Sequence, residues 1–184
     1  MTQPKPRTKF TVADYMNTPD DVRYQLIDGE LILAPSPTTK HQQASIEIAV
    51  ALHQFVRMER LGEVCIAPLD VVFPDHEVYQ PDILFISNER QEIITEANIQ
   101  GAPDLVVEIL SPSTRRHDRG HKQDVYAERG VQEYWIVDPD ARTVEVLSAG
   151  DDGWTLAATF SAEEVLASPL LPGLSIDLGQ VFAG

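Results

Sequence analysis

The chain has 184 residues, of which 43% are hydrophobic and 23% charged, a composition typical of a folded domain that argues against a disordered polypeptide. Its single cysteine, Cys65, excludes an intrachain disulfide framework and a zinc site built from several cysteines. The 14 basic and 29 acidic residues give a net charge of −15, which by itself argues against a nucleic-acid partner because negative surfaces repel phosphate.

Hydrophobic periodicity, capping residues and turn dipeptides divide the chain into helices and strands. In chain order they predict a short helix from Thr11 to Met16, strands 23–27 and 30–33 joined at Asp28-Gly29, a long amphipathic helix 40–60, strands 63–67, 69–73 and 83–86, a polar connection 88–102, a strand 105–110, a helix 114–129, a strand 133–137, an antiparallel pair 143–147 and 154–160, and a short helix 162–167.

The segment 105–137 is expected to form the centre of the fold. Residues 105–110 form a nearly continuous apolar run, which is typical of a strand buried on both faces. The strand–helix–strand order predicts a right-handed parallel crossover. We expect an α/β (α+β) fold with a mixed central sheet, in one domain over residues 1–184. Residues 1–10 are expected to be flexible, and residues 140–184 to form a β-hairpin and a C-terminal extension.

Location can also be predicted from the sequence. No apolar run approaches the roughly 18 residues that a membrane-spanning helix needs. The basic N-terminus is not followed by the apolar segment of a secretion signal. We therefore expect a soluble cytoplasmic protein with no membrane partner.

Two acidic residues interrupt apolar strands, and they are the first candidates for chemistry. Asp82 lies at the mouth of one predicted strand, and Glu108 lies in the middle of another. A buried carboxylate without a partner costs several kcal/mol or takes up a proton. Two such acids on neighbouring strands can share a divalent cation, and oxygen ligands suit Mg²⁺ or Mn²⁺. The alternative is that each acid is paired structurally with an arginine or a backbone donor.

Basic side chains cluster on the helix that follows the Glu108 strand. Lys122 lies on this helix. If the helix packs over the sheet, the amino group of Lys122 can reach the two acids that could bind a metal, Asp82 and Glu108. A lysine beside metal-bound carboxylates can orient water or stabilise the charge of a phosphodiester transition state. Arg115, Arg116 and Arg119 can guide a phosphate backbone, although the interleaved acids are equally typical of a solvated helix face.

Several motifs together resemble a known nuclease family. Pro81-Asp82 followed by Glu108 resembles the PD-(D/E)xK nuclease superfamily. The following segments are similar to Uma-two, a large bacterial family of restriction-endonuclease-like proteins: 24–30 (YQLIDGE), 35–37 (PSP) with His41, 80–82 (QPD), 102–113 (APDLVVEILSPS), Lys122 with Tyr126, and 130–139 (GVQEYWIVDP). The resemblance covers roughly residues 10–150.

The resemblance implies a restriction-endonuclease-like core, a mixed sheet flanked by helices, with a Mg²⁺ site at Asp82 and Glu108. The superfamily motif has a lysine two residues after the second acid, where this chain has Leu110. Lys122 would substitute for it as a migrated lysine. Glu30 is a candidate outer ligand, or else a solvent-facing strand acid. His41 is a candidate contact to phosphate or metal-bound water, or else an ordinary residue of a helix first turn.

The expected function is that of a Mg²⁺-dependent DNA endonuclease that hydrolyses phosphodiester bonds, with Mn²⁺ as a substitute. Alternatives are an inactive nucleic-acid-binding or scaffold protein that retains the fold, and a metal-dependent hydrolase of a smaller phosphoester. The charge of −15 predicts that DNA binding is weak or metal-dependent. A homodimer is expected because many nucleases that cut duplexes address two strands, with the apolar segments 154–160 and 170–174 as candidate interfaces.

Overall fold

The computed structural model describes residues 9–19, 21–74 and 76–183. The segment expected to be flexible, residues 1–10, lies outside these ranges apart from its last two residues. The helices are α1 (Val12–Tyr15), α2 (Thr39–Glu59), α3 (Arg115–Asp118), α4 (His121–Arg129) and α5 (Leu178–Val181), with a 3₁₀ turn at Asn88–Ile93. The strands are β1 (Tyr24–Ile27), β2 (Glu30–Leu33), β3 (Gly62–Ile66), β4 (Val71–Phe73), β5 (Glu77–Tyr79), β6 (Ile83–Ser87), β7 (Ile99–Gln100), β8 (Leu105–Ile109), β9 (Glu133–Asp138), β10 (Thr143–Gly150), β11 (Gly153–Ser161), β12 (Val165–Leu166) and β13 (Ile176–Asp177).

The strands form two larger sheets and one small pair. The six-stranded sheet has the order β11-β10-β9-β8-β6-β3, and β8 and β9 pair in parallel while the other neighbours are antiparallel. The five-stranded sheet has the order β2-β1-β5-β4-β7. The predicted mixed sheet and the parallel pairing of the strands before and after α3 and α4 are therefore confirmed.

The central strand β8 is buried on both faces because helices cover both sides of it. Leu105, Val107 and Ile109 pack in one core cluster with the apolar face of α2. Val106 belongs to a second cluster, which contains Tyr126 of α4. Since side chains alternate along a strand, Glu108 points to the side of α4. This alternation places a carboxylate beneath the helix that carries the lysine.

Three predicted helical or apolar segments differ in the structure. The helix predicted over 114–129 is broken into α3 and α4 at Arg119-Gly120. The prediction of a helix over 162–167 is wrong. Glu164 accepts hydrogen bonds from the Ser161 amide and hydroxyl, which closes a turn before β12. Leu171 and Leu174, within an apolar segment expected at a dimer interface, instead fill the protein's own core.

Among the described residues, none of the helices combines the length and the apolar character that crossing a membrane demands.

Candidate active site

A cavity of about 370 Å³ lies between the β1–β2 hairpin, the start of α2 and the loop after β8. Four of the residues singled out from the sequence line it together: His41, Asp82, Glu108 and Lys122. Polar and apolar residues of the surrounding segments complete the wall, with Arg23 at the hairpin end. The structure therefore collects the two strand acids, the helix lysine and the α2 histidine at one site.

Strand pairing places Asp82 next to Glu108. In the antiparallel pair β6–β8, Ile83 lies opposite Val107, so the preceding residue, Asp82, lies at the level of Glu108. One oxygen of Asp82, Oδ2, accepts a hydrogen bond of 2.7 Å from the Ile109 amide. This bond fixes the carboxylate at the end of β8, where it lines the cavity.

His41 is the basic partner of Asp82. It lies in the first turn of α2, where Thr38 caps the helix by accepting a hydrogen bond from the His41 amide. Its ring atom Nε2 is 3.3 Å from Asp82 Oδ1. Burial lowers the pKa of His41, but the hydrogen bond and charge of Asp82 outweigh that effect, so the pKa lies above its ordinary value. Protonated His41 can therefore neutralise Asp82.

Lys122 is fully buried between two carboxylates. Its Nζ lies 2.5 Å from Glu108 Oε1 and donates a hydrogen bond of 2.9 Å to Asp118 Oδ1. The Tyr126 hydroxyl donates to the same Glu108 oxygen at 2.8 Å. Asp118 is also buried and was missed by sequence reasoning, although its spacing of four residues from Lys122 is that of a helical ion pair.

When all three are ionised, Lys122, Glu108 and Asp118 form a buried group with two negative charges and one positive charge. This arrangement shifts the pKa values of Glu108 and Lys122. Burial raises the pKa of Glu108, the charge of Lys122 lowers it, and the charges of Asp118 and Asp82 raise it further, with a net rise. Burial lowers the pKa of Lys122, but Asp118 and Glu108 outweigh this effect and raise the pKa. The lysine is therefore charged at neutral pH, and Glu108 is the acid that gives up its proton reluctantly.

The three arginines singled out from the sequence lie outside the cavity wall. Arg115 contacts Asp138, with 2.9 Å between Nη1 and Oδ2. Arg119 makes a bidentate pair with Glu145 in which both distances are 2.8 Å. Arg116 is exposed, and its side chain makes no hydrogen bond or ion pair with the residues that the structure describes. Arg116 is therefore the arginine of the three whose guanidinium is most available to an external anion.

The Asp138 turn predicts a stability change that depends on pH. Asp138 is buried, and it accepts hydrogen bonds of 3.1 Å from the Asp140 and Ala141 amides as well as pairing with Arg115. Burial raises the pKa of Asp138, but the amide bonds and Arg115 lower it by more. Asp138→Asn should reduce the free energy of unfolding by about 1–2 kcal/mol at neutral pH.

The direction of this pH dependence follows from the lowered pKa of Asp138 in the folded protein. The carboxylate of Asp138 stabilises the fold above its ordinary pKa of 3.8, and this contribution disappears as the pH falls through the folded-state value. Urea unfolding at neutral and strongly acidic pH, with the exposed Asp140→Asn as control, measures the effect. A deficit in Asp138→Asn that is equal at both pH values would contradict this account.

A second group of possible metal ligands lies outside the cavity wall. Asp28, Glu77 and His121 each present a ligand atom, and these atoms lie within 4.8 Å of one another. His121 Nε2 is 2.6 Å from Glu77 Oε1, and the other Glu77 oxygen accepts from the Asp28 amide and the Tyr79 hydroxyl. Glu30 is exposed at the start of the edge strand β2 and does not line the cavity.

Comparisons with known proteins agree on one family and one fold. The family model Uma2, described as "Putative restriction endonuclease", matches residues 12–179. The crystal structure of "a putative nuclease belonging to DUF820" from Anabaena variabilis superposes with a TM-score of 0.78 at 23% identity, covering 95% of this chain and 98% of that one. This similarity gives the fold, which is restriction-endonuclease-like: a mixed sheet flanked by helices.

Two relatives come from Synechocystis sp., and both are described as uncharacterized. Protein slr1290 is 35% identical over 83 residues, which is 45% of this chain and 43% of the relative. The match thus spans less than half the length of that protein. Protein sll1609 is 24% identical over 152 residues, 80% of this chain and 85% of the relative. Since the family model covers nearly the whole chain, the chain belongs to the Uma2 family of restriction-endonuclease-like proteins.

Proposed function

We propose that this protein is a Mg²⁺-dependent DNA endonuclease that hydrolyses phosphodiester bonds, with Mn²⁺ able to substitute. The observation that carries the proposal is the meeting of Asp82, Glu108 and Lys122 at the wall of one cavity, with Lys122 bonded to Glu108. Membership of the Uma2 family supports nuclease chemistry in general.

The donor set at the cavity fits a hard divalent cation. Asp82 and Glu108 would hold it, since both line the cavity and supply carboxylate oxygens of the kind that Mg²⁺ prefers. The second oxygen of Glu108, Oε2, makes no hydrogen bond with the described residues and is the one left for a ligand. When bound, a divalent cation lowers the pKa of water and offsets charge on a phosphate.

The side chains around the acids supply the remaining functions. Lys122 presents a fixed positive charge, which can stabilise negative charge on a scissile phosphate or orient water. His41 compensates the charge of Asp82, and it is proposed to contact a phosphate oxygen or metal-bound water. Arg115, Arg116 and Arg119 are proposed to guide the phosphate backbone, with Glu30 as an outer residue. With a net charge of −15, DNA binding should be weak and should depend on the divalent ion.

The second candidate is a scaffold or nucleic-acid-binding protein that retains the fold without cleaving. One observation favours it: Asp82 is paired with His41, and Glu108 with Lys122, so protein groups already compensate both acids. In that case the acids and the lysine are structural. A homodimer and a cytoplasmic location remain predictions that accompany the nuclease proposal.

Cleavage assays with matched variants separate the two candidates. Plasmid and single-stranded DNA are incubated with Mg²⁺, with Mn²⁺, or with a chelator. We expect metal-dependent cleavage by the wild type, its loss in Asp82→Ala, and its retention in Asp28→Asn. Asp28 belongs to the second ligand group and controls for the position of the metal. Equal nicking by wild type and Asp82→Ala would overturn the catalytic assignment, and loss in Asp28→Asn alone would move the metal to the second group.

A further inference from the structure

Asp118 has the environment of a residue with a specific task. It ends the short helix α3, and only 1% of its surface is exposed. One oxygen, Oδ1, accepts from Lys122 Nζ, while the other, Oδ2, is buried and makes no hydrogen bond with any described residue. A buried carboxylate oxygen without a donor is destabilising, so its retention points to a role beyond folding.

The backbone around Asp118 is fixed independently of its carboxylate. The Tyr134 hydroxyl of β9 donates a hydrogen bond of 2.9 Å to the Asp118 carbonyl. The Asp118 amide in turn donates to the Thr114 carbonyl at 3.0 Å. Asp118 is thus a rigid point against which the long lysine side chain can be held.

Asp118 and Glu108 hold the lysine in different ways. Glu108 lines the cavity and is proposed to bind the metal, so its oxygens are shared between the cation and Lys122. Asp118 does not line the cavity. It can therefore keep its bond to Lys122 when Glu108 is engaged elsewhere.

The position of the lysine makes such a clamp necessary. A lysine at position 110 would be aligned by the strand itself, but this chain has Leu110 there, and Lys122 reaches the site from α4. A lysine side chain has four rotatable bonds, and about 2 kcal/mol of rotamer entropy opposes its fixation. The two carboxylates that contact Nζ, those of Glu108 and Asp118, provide that fixation.

We propose that Asp118 is a positioning residue that holds the Lys122 ammonium at the edge of the metal site, a role that rests on the proposed function. It acts through Lys122 and does not touch the substrate. Removing the negative charge of Asp118 while keeping its shape should leave the active-site residues present but the ammonium unclamped.

Kinetics of Asp118→Asn, alone and combined with Lys122→Met, test the role. Asp118→Asn should lower kcat by about 10–100-fold and leave KM within about threefold, because alignment is lost and ground-state binding is not. In the Lys122→Met background the same change should alter kcat less than about twofold, since the lysine is no longer there to be positioned. Asp118→Glu should recover part of the activity. The exposed Asp124→Asn, on the same helix as the lysine, is the matched control. Independent, multiplicative losses in the double variant would overturn the proposal.

A spectroscopic measurement decides the role of Asp118 without any cleavage. In ¹⁵N-labelled protein, a buried ammonium held by two carboxylates exchanges its protons slowly and gives an observable ¹⁵Nζ–¹H signal. We expect this Lys122 signal in the wild type and in Asp124→Asn. We expect its loss in Asp118→Asn, with cooperative melting as the check that this variant is folded. A signal that persists in Asp118→Asn, or that is absent from the wild type, would overturn the positioning role. Absence of cleavage by the wild type would overturn the proposed function instead.

Discussion

Replacing Glu108 with glutamine should abolish metal-dependent cleavage and at the same time stabilise the fold. The activity should fall by about a thousandfold or more, because a neutral amide is a poor ligand for a hard cation. The stability should rise by about 1–2 kcal/mol, because the buried group then contains one lysine and one aspartate and no surplus charge. Function and stability thus make opposite demands on this position.

The gain in stability should depend on pH. The pKa of Glu108 in the folded protein lies above its ordinary value of 4.5, so the folded wild type holds the carboxyl proton of Glu108 more tightly than the unfolded chain does. The wild type therefore loses stability as the pH rises above 4.5. Glu108→Gln lacks this loss, so its advantage should be small near pH 4 and grow toward about pH 8. Denaturant unfolding across that range measures it, with Glu63→Gln on β3 as a control at an exposed strand acid. A variant that is less stable than the wild type at every pH would contradict this electrostatic account.

Replacing Lys122 with methionine should have the largest effect on stability. Methionine fills a similar volume but leaves Glu108 and Asp118 buried without their counter-ion. Breaking a buried ion pair by removing one partner costs about 3–5 kcal/mol. The loss should be greatest at neutral pH and shrink at acidic pH, where Glu108 takes up a proton because its pKa is raised.

A surface lysine gives the matched comparison. Lys40 lies 3.6 Å from Asp140 with both side chains mostly exposed, so Lys40→Met should cost less than about 1 kcal/mol. Adding Glu108→Gln and Asp118→Asn to Lys122→Met should restore much of the lost stability, since all three charges then disappear together. Similar small losses for Lys40→Met and Lys122→Met would show that the buried group is not held by charge.

Much of the site could be predicted because its acids stand out against apolar strands. Asp82 and Glu108 interrupt runs of hydrophobic residues, and such an interruption is visible without any structure. Lys122 could be placed near Glu108 because a strand–helix–strand unit returns its helix over the sheet. Local pattern and topology, which are strong signals in a sequence, are sufficient for both placements.

The part played by Asp118 and the burial of the charged residues around Lys122 could not be predicted. Asp118 and Lys122 lie in a run of mixed charges that has the same composition as a solvated helix face, and only packing buries them. The strands β5 and β7 have three and two residues, too short to give a periodic signal, and their pairing comes from tertiary contacts. The turn at Gly120 is similarly local, and it divides a helix whose charge pattern continues across it.

The first two residues of α4 tie the two sheets together. His121 contacts Glu77 of the five-stranded sheet, and its neighbour Lys122 contacts Glu108 of the six-stranded sheet. The helix therefore cannot shift on one sheet without straining its anchor on the other. The lysine is consequently aligned by both layers, so disruption of the five-stranded sheet would remove one of the two anchors that set its position.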